Sequence, residues 1–169
     1  NEAMEKIATH SAAEYLQVVQ KRLDEEQERC LDFLNEETKK PLIKKVLVPM
    51  VQEHCKVIIL KQDSGLGKMI KLKQYANIHL MYKIFTQVPD AKKLFENFLV
   101  SSVTEDCEAM ISDDGVGANP KEFVERCIDI KQKYNAIVHQ SCEKDNDIGL
   151  AIKNAFEDAL SKFEASSIY

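Results

Sequence analysis

Only five glycines and four prolines interrupt the 169 residues. A chain so poor in the residues that let a backbone turn sharply does not build a sheet of many hairpins, and long helices are what remain. The apolar pattern agrees. Between Ser11 and Asn35, Leu16, Val19, Leu23, Cys30 and Leu34 recur at spacings of three, four and seven, which puts them on one helical face. The run "KRLDEEQERC" carries both signs of charge on the other side, with Glu25 and Arg29 spaced as an i,i+4 pair. Ser11 and Glu14 have the spacing of a capping box at the start of this helix.

The next segments keep the same period. Thr38 is the expected cap of a second helix, with Pro41 tolerated in its first turn. Ile43, Val46, Leu47, Met50, His54, Cys55, Ile58 and Ile59 then form a broad apolar stripe, and Pro49 predicts a kink near Lys45. "VLVPMV" and "CKVIIL" have the composition of strands, but the 3.6-residue period runs through them and favours helix. Asn77 is the expected cap of "IHLMYKIFTQV", in which Ile78, Met81, Tyr82 and Phe85 line one face and Leu80, Ile84 and Val88 widen it. Val88-Pro89 marks a boundary, and the helix after it carries Leu94, Phe95, Phe98, Leu99, Val103, Met110 and Ile111. In "SDDGVGANPKEF", Gly115 and Gly117 end that helix and Asn119-Pro120 caps and starts another. Its inward face reads Phe123, Cys127, Ile130, Tyr134, Ile137 and Ser141. A last helix opens near Asp145 and buries Ile148, Ile152, Ala155, Phe156, Leu160 and Phe163. The reading is six or seven helices with no strand, an all-α fold, and no short tetratricopeptide or ankyrin repeat.

Charge and composition narrow the function classes. Twenty-three basic against 28 acidic side chains give a net charge of −5. Nucleic-acid affinity rests on neutralising phosphates, and the basic runs "KKPLIKK" and "GKMIKLK" are short and interrupted by apolar residues, so they read as solvated helix edges. No apolar run approaches the ~20 residues that span a bilayer. Cys30, Cys55, Cys107, Cys127 and Cys142 are widely spaced with no Cys-x-x-Cys, which fits free thiols in a reducing compartment, the cytoplasm and nucleus. The first segment is amphipathic from Asn1 onward, as expected of a piece of a longer protein.

The chemistry-bearing motifs stand or fall on what their chemistry requires. "QDSGLGKMIK" contains Gly65-Leu66-Gly67-Lys68, but a phosphate loop needs glycine where Gln62 stands and Ser or Thr where Met69 stands, after a buried strand. The alternative is a helix stop at Ser64-Gly65 with Gly67 easing re-entry and shaping how the chain bends there. Reading "DDGVG" as a calcium loop with Gly117 sixth puts Val116 fifth and Phe123 twelfth, where oxygen ligands are required. His10, His54, His79 and His139 pair with no cysteine at zinc spacing, and the adjacent His54 and Cys55 point about 100° apart on a helix. A Cys-His dyad stays open, although every cysteine except Cys107 falls on or near an apolar stripe, where thiols are inert. The carboxylates concentrate on exposed faces, where nothing raises their pKa. No catalytic residue, metal ligand or cofactor site is assigned.

Three collinear segments carry a family resemblance. "EYLQVVQKRLDEEQERCLDFLNEETKKPLIKKV" resembles the cullin segment that opens with an acidic R-L-x-E-E helix and passes through a Ser/Glu-Thr turn. "LMYKIFTQVPDAKKLFENF" is similar to that family's M-Y-x-L segment. "NPKEFVERCIDIKQKYNAIVHQSCEKDNDIGLAIKNAFEDAL" resembles its later helix pair, with "KYN" before an N/D-D-x-x-F turn and an A-F-E helix. The likeness runs from about residue 12 to 165 in one order. Asp90 stands where the family often has glycine, Ile148 where an aromatic is frequent, and Pro49 inside a helix expected to lack proline. "SGLGKM" and "MYKIFTQVP" look like the branch using BTB-domain adaptors, whereas "RLDEEQERC" and "KYNAIV" look like the branch serving F-box adaptors.

The resemblance implies a helical bundle of cullin-repeat type, part of an elongated α-solenoid-like stalk. Residues 1–62 correspond to the end of one repeat, the second, and 63–169 to most of the following one. It implies a non-catalytic scaffold of a ubiquitin ligase complex whose substrate adaptor and RING protein bind mostly outside this stretch, with no nucleic acid, membrane or small-molecule ligand. The repeat junction is expected where Leu80, Met81, Tyr82, Phe85 and Val88 pack against Phe95, Phe98 and Tyr134. The rival is a stand-alone helical interaction or vesicle-tethering module, with a helical-bundle enzyme third. Continuation of the gene into a winged-helix-like C-terminal region separates the first from the others.

Overall fold

Nine α-helices and one π-helical turn make up the regular structure of the computed structural model, which describes residues 2–33, 36–113 and 119–166, and no strand occurs among those residues. In chain order these are α1 Glu2–Thr9, α2 Ala12–Phe33, α3 Glu36–Leu47, the π turn Val48–Gln52, α4 Cys55–Leu60, α5 Leu66–Lys71, α6 Tyr75–Phe85, α7 Pro89–Ile111, α8 Pro120–Ser141 and α9 Asn146–Ser166. "VLVPMV" and "CKVIIL" are helical, as their period required. The excess over six or seven comes from α1 and the short α4 and α5, which breaks at Ser11, Pro49 and Gly65 separate from their neighbours. Leu34, Gly115 and Gly117, and the side chain of Phe163, lie outside the described residues.

The chain divides into two compact units, Asn1–Phe95 and Glu96–Tyr169. That division follows packing, whereas a repeat break between 62 and 63 follows likeness of sequence, and the two criteria need not coincide.

In the first unit α2 is the hub, packed by α1, α3 and α6. Its buried stripe is Leu16, Val19, Leu23 and Cys30, extended backwards by Ala12 and Tyr15. The Ser11 amide donates to Glu14 Oε2 at 2.8 Å and the Glu14 amide to Ser11 Oγ at 3.2 Å, which completes the capping box. The exposed charges pair one residue closer than expected: Arg29 meets Glu26 at 3.0 Å and Arg22 meets Glu25 at 3.5 Å. Such solvated pairs are worth little.

Two prolines behave differently from their sequence reading. α3 starts at Glu36, so Thr38 is not its cap and Pro41 lies inside the helix rather than in its first turn. Pro49 sits in the first turn of the π turn, closed by the Glu53 amide donating to Val48 O at 3.2 Å, so the departure from regular α-helix falls at Val48–Gln52. The wider turn accommodates the residue that has no N–H. The buried Tyr15 hydroxyl of α2 donates to Met50 O at 2.7 Å in that turn, and burial pushes the phenol up to about 12. Tyr15→Phe leaves that carbonyl unsatisfied and is expected to cost about 1–3 kcal/mol in a urea melt. An unmoved midpoint would show that the hydroxyl contributes nothing there.

α6 starts at Tyr75, so Asn77 is not the cap either; Asn77 Nδ2 donates instead to Gln74 Oε1 at 3.1 Å. The start is set upstream, where α5 ends in a Schellman-type reversal. Lys73 takes the left-handed position (φ 53°), and the Gln74 amide donates to Met69 O at 2.9 Å.

The second unit opens within α7, whose inner face is Leu99, Val103, Cys107 and Met110. Cys107 is fully buried and completes this stripe, contrary to its sequence reading, and Cys127 is the cysteine left partly exposed. α7 begins at Pro89 and α8 at Pro120, as the boundaries required. Asn119 Oδ1 accepts the amides of Lys121 and Glu122 at 3.2 and 3.5 Å. α8 and α9 pack together through Tyr134, Ile137, Val138 and Ser141 on one and Ile148, Ile152, Ala155 and Ala159 on the other. Asp145 caps α9 by accepting the amides of Asp147 and Ile148 at 2.9 and 3.2 Å. Phe123, Cys127 and Ile130 on α8, and Phe156 and Leu160 on α9, are only half-buried.

Candidate functional site

The Gly-x-Gly-Lys stretch is a helix break. α4 ends at Leu60, and Gly65 is the residue before α5 with φ −71° and ψ −173°, ordinary extended backbone. Its need for glycine is steric. A Cβ there would overlap Ile59 O and Lys61 O and lie 2.8 Å from Lys61 N. Gly67, in contrast, is an ordinary residue of α5, so the constraint sits at the Ser64-Gly65 helix stop and not at the re-entry. The turn is tied down at both ends: Lys61 Nζ donates to Ile7 O at 2.5 Å, and the Ala12 amide donates to Ser64 Oγ at 3.0 Å.

The residues expected at the repeat junction fall in both units. In the first, Met81, Tyr82, Phe85, Val88 and Phe95 are buried and Leu80 is half-buried. The Tyr82 and Phe95 rings lie 6.0 Å apart at 55°, the tilted geometry that aromatic pairs favour. In the second unit Phe98 is half-buried and Tyr134 is 1% exposed.

Tyr134 is the centre of a polar cluster that sequence reasoning missed. Its hydroxyl donates to Asp106 Oδ2 at 2.7 Å, the Lys133 ammonium donates to the same oxygen at 2.7 Å, and that ammonium lies 5.2 Å from the Tyr134 ring centre. Burial first, and then the bond to Asp106, push the phenol well above its ordinary range, since ionising it would set two anions side by side. The missed signal was a carboxylate three residues after Val103 and seven after Leu99, on the apolar face of α7.

The thiols are shifted in the same direction. Burial raises Cys55 and Cys127, takes Cys107 up to about 11 with the neighbouring Cys127 adding to it, and takes Cys142 up to about 12 with Asp145 adding to it. The thiolate is the nucleophile, so each of these shifts runs away from reactivity at neutral pH. Among the described residues no group of three or more His, Cys, Asp or Glu is placed to hold a metal ion, and no helix is long and apolar enough to cross a membrane.

Helices whose buried thiols and phenols are shifted towards their neutral forms define a structural segment, built for packing. Comparison with known proteins gives the family. The family model described as the Cullin alpha solenoid domain matches residues 1–168, and the chain belongs to the cullin family. Cullin-3A of Arabidopsis thaliana is 26% identical over 156 residues, 92% of this chain and 21% of that protein. Cullin-3 of Dictyostelium discoideum is 25% identical over 89% of this chain and 20% of its own length. Cullin-4A of Homo sapiens is 27% identical over 88% of this chain and 19% of its own length. The chain spans about a fifth of the length of these curated relatives.

Proposed function

We propose that this chain is a rigid, non-catalytic scaffold segment of a cullin-RING ubiquitin ligase, holding the substrate-adaptor end at a set distance from the RING end in the cytoplasm and nucleus. The observation that carries the reading is the match of the alpha solenoid domain of the cullin family across residues 1–168. The buried helical faces and the shift of every perturbed thiol and phenol towards its neutral form support a packing role. In this reading residues 1–62 end one cullin repeat and 63–169 form most of the next, with Leu80, Met81, Tyr82, Phe85, Val88, Phe95, Phe98 and Tyr134 at their junction. In the same reading the adaptor and RING subunits bind through regions mostly outside these residues.

Proximity catalysis works only while the reacting groups stay near one another. Inserting a flexible Gly/Ser segment between Phe95 and Glu96 of the longer protein, where one compact unit gives way to the next within α7, is therefore expected to slow ubiquitin transfer by about tenfold or more, with adaptor and RING co-purification intact. Failure of the parent protein to co-purify any RING-domain subunit would overturn the ligase reading; unchanged transfer after the insertion would overturn the rigid-spacer part alone.

A further inference from the structure

A groove of about 670 Å³ runs along α8 and α9, entirely within the second unit. Its floor and walls include Val103, Ile130, Tyr134, Ile152, Phe156 and Leu160, and Leu150 stands at its edge 57% exposed. A volume of this size is typical of a pocket that buries a ligand or a side-chain cluster. Three further features describe what fits it.

The first is charge. The chain carries a net charge of −5, yet this groove is bordered by Lys131, Lys144 and Lys153. Its two acids are already engaged: Asp145 Oδ1 accepts the two amides that start α9, and Glu157 Oε1 lies 3.8 Å from Lys153 Nζ. Lys131 and Lys144 are exposed and have no ion-pair partner among the described residues, so they form a cationic surplus over an apolar floor.

The second is Gly149, which lines the groove from inside α9. Glycine within a helix is unfavourable relative to alanine. The neighbouring structure does not require it: an added Cβ would meet Val138 Cγ1 at 3.8 Å, ordinary contact, and no glycine among the described residues has a positive φ. A glycine that its own fold does not need suits the close approach of another backbone.

The third is the turn after α8. Glu143 and Lys144 are consecutive residues in the left-handed region, with φ of 51° and 59°. Non-glycine residues occupy it at a cost, and such strain concentrates where a side chain must be presented. Here it sets Lys144 at the mouth of the groove.

We infer that the α8–α9 groove docks an acidic amphipathic helix of a partner protein, its large aliphatic or aromatic side chains on the apolar floor and its Asp and Glu residues against Lys131 and Lys144. A helix laid in an apolar groove presents anchors at i, i+3 or i+4 and i+7, which suits the apolar lining of this one. The surplus lysines select acidic flanks and the Gly149 surface admits the helix backbone. The inference rests on the second unit and is independent of the ligase reading.

The test uses the whole 169-residue chain as bait for a display library of helical peptides about 18 residues long, five turns. The best peptide is then synthesised with its acids intact and with them replaced by lysine. The expected result is a selected set with apolar residues at helical spacing flanked by Asp and Glu. Binding, followed by fluorescence anisotropy, should fall at least tenfold for Leu150→Asp and for the Lys131→Glu/Lys144→Glu pair. Gly149→Ala should weaken it while leaving the unfolding midpoint unchanged or raised, a combination that a purely structural glycine does not produce. Leu150 and both lysines are exposed, so circular dichroism should confirm folded variants. No selection, selection without acidic bias, equal binding of the lysine peptide, or binding unmoved by Leu150→Asp overturns the inference. So does concentration-dependent self-association abolished by Leu150→Asp, which would assign the groove to a second copy of the chain, and so does loss of peptide binding in the longer protein, which would assign it to that protein's own further residues.

Discussion

Replacing Phe85 with alanine is expected to cost about 3–5 kcal/mol of unfolding free energy, the range for an aromatic truncated in a core. Phe85 is 0% exposed, and so are Ile78, Met81 and Ile84 on the same helix. α6 packs against both α2 and α5, so the void has walls supplied by three helices. Each wall is held by other contacts: α2 by Leu16 and Val19, 0% exposed, and by its capping box; α5 by Leu66 and Met69, buried beside the Gly65 turn. Such a site collapses poorly, and the cavity adds to the lost transfer free energy of the ring. Leu31→Ala is the comparison, because Leu31 is 77% exposed and its change should stay within about 0.5 kcal/mol. Two compact units can unfold in two steps. If the urea curve shows two transitions, the loss belongs to the one that melts the first unit. An unchanged midpoint for Phe85→Ala would remove this residue from the core.

Helical period, and caps with strong local chemistry, are legible in the residues themselves. The face of α2, the starts of α7 and α8 at Pro89 and Pro120, and the Ser11, Asn119 and Asp145 caps follow from residues whose local preference and tertiary setting agree. What escaped depends on partners distant in the chain or on backbone choices that no residue type announces. The reversal between α5 and α6 places lysine at a position where glycine is usual, so nothing in "KLKQYAN" marks it, and Asn77 draws the expected cap three residues past Gln74. Pro49 announces an irregularity but not its form; the π turn depends on Tyr15, 35 residues earlier, satisfying Met50 O. Asp106 reads as a surface acid because its partners, Lys133 and Tyr134, are 27 and 28 residues away. The family, by contrast, is legible from three collinear segments, since a long ordered likeness does not depend on local geometry.

Gly65→Ala is expected to cost about 3 kcal/mol or more, at the upper end of what overpacking does. Dihedral preference is not the reason, because φ −71° and ψ −173° suit any residue. The three atoms that the new methyl would meet, Ile59 O, Lys61 O and Lys61 N, all belong to the main chain and cannot rotate out of the way. The backbone itself has to open, and it is held shut. The Gly65 amide donates to Lys61 O at 2.6 Å, Lys61 Nζ donates to Ile7 O, and Ser64 Oγ accepts the Ala12 amide. Relief at Gly65 therefore breaks bonds to α1 and to the first turn of α2, 54 and 52 residues away in sequence. Gly67→Ala should act in the opposite direction, gaining about 0.5–1 kcal/mol as alanine replaces glycine within a helix. Opposite signs two residues apart identify the turn as a close-packed crossing of backbones. Equal effects would mean that both glycines serve only chain flexibility, and a Gly65→Ala protein as stable as the parent would place the α4–α5 turn farther from Ile59 and Lys61 than it stands here.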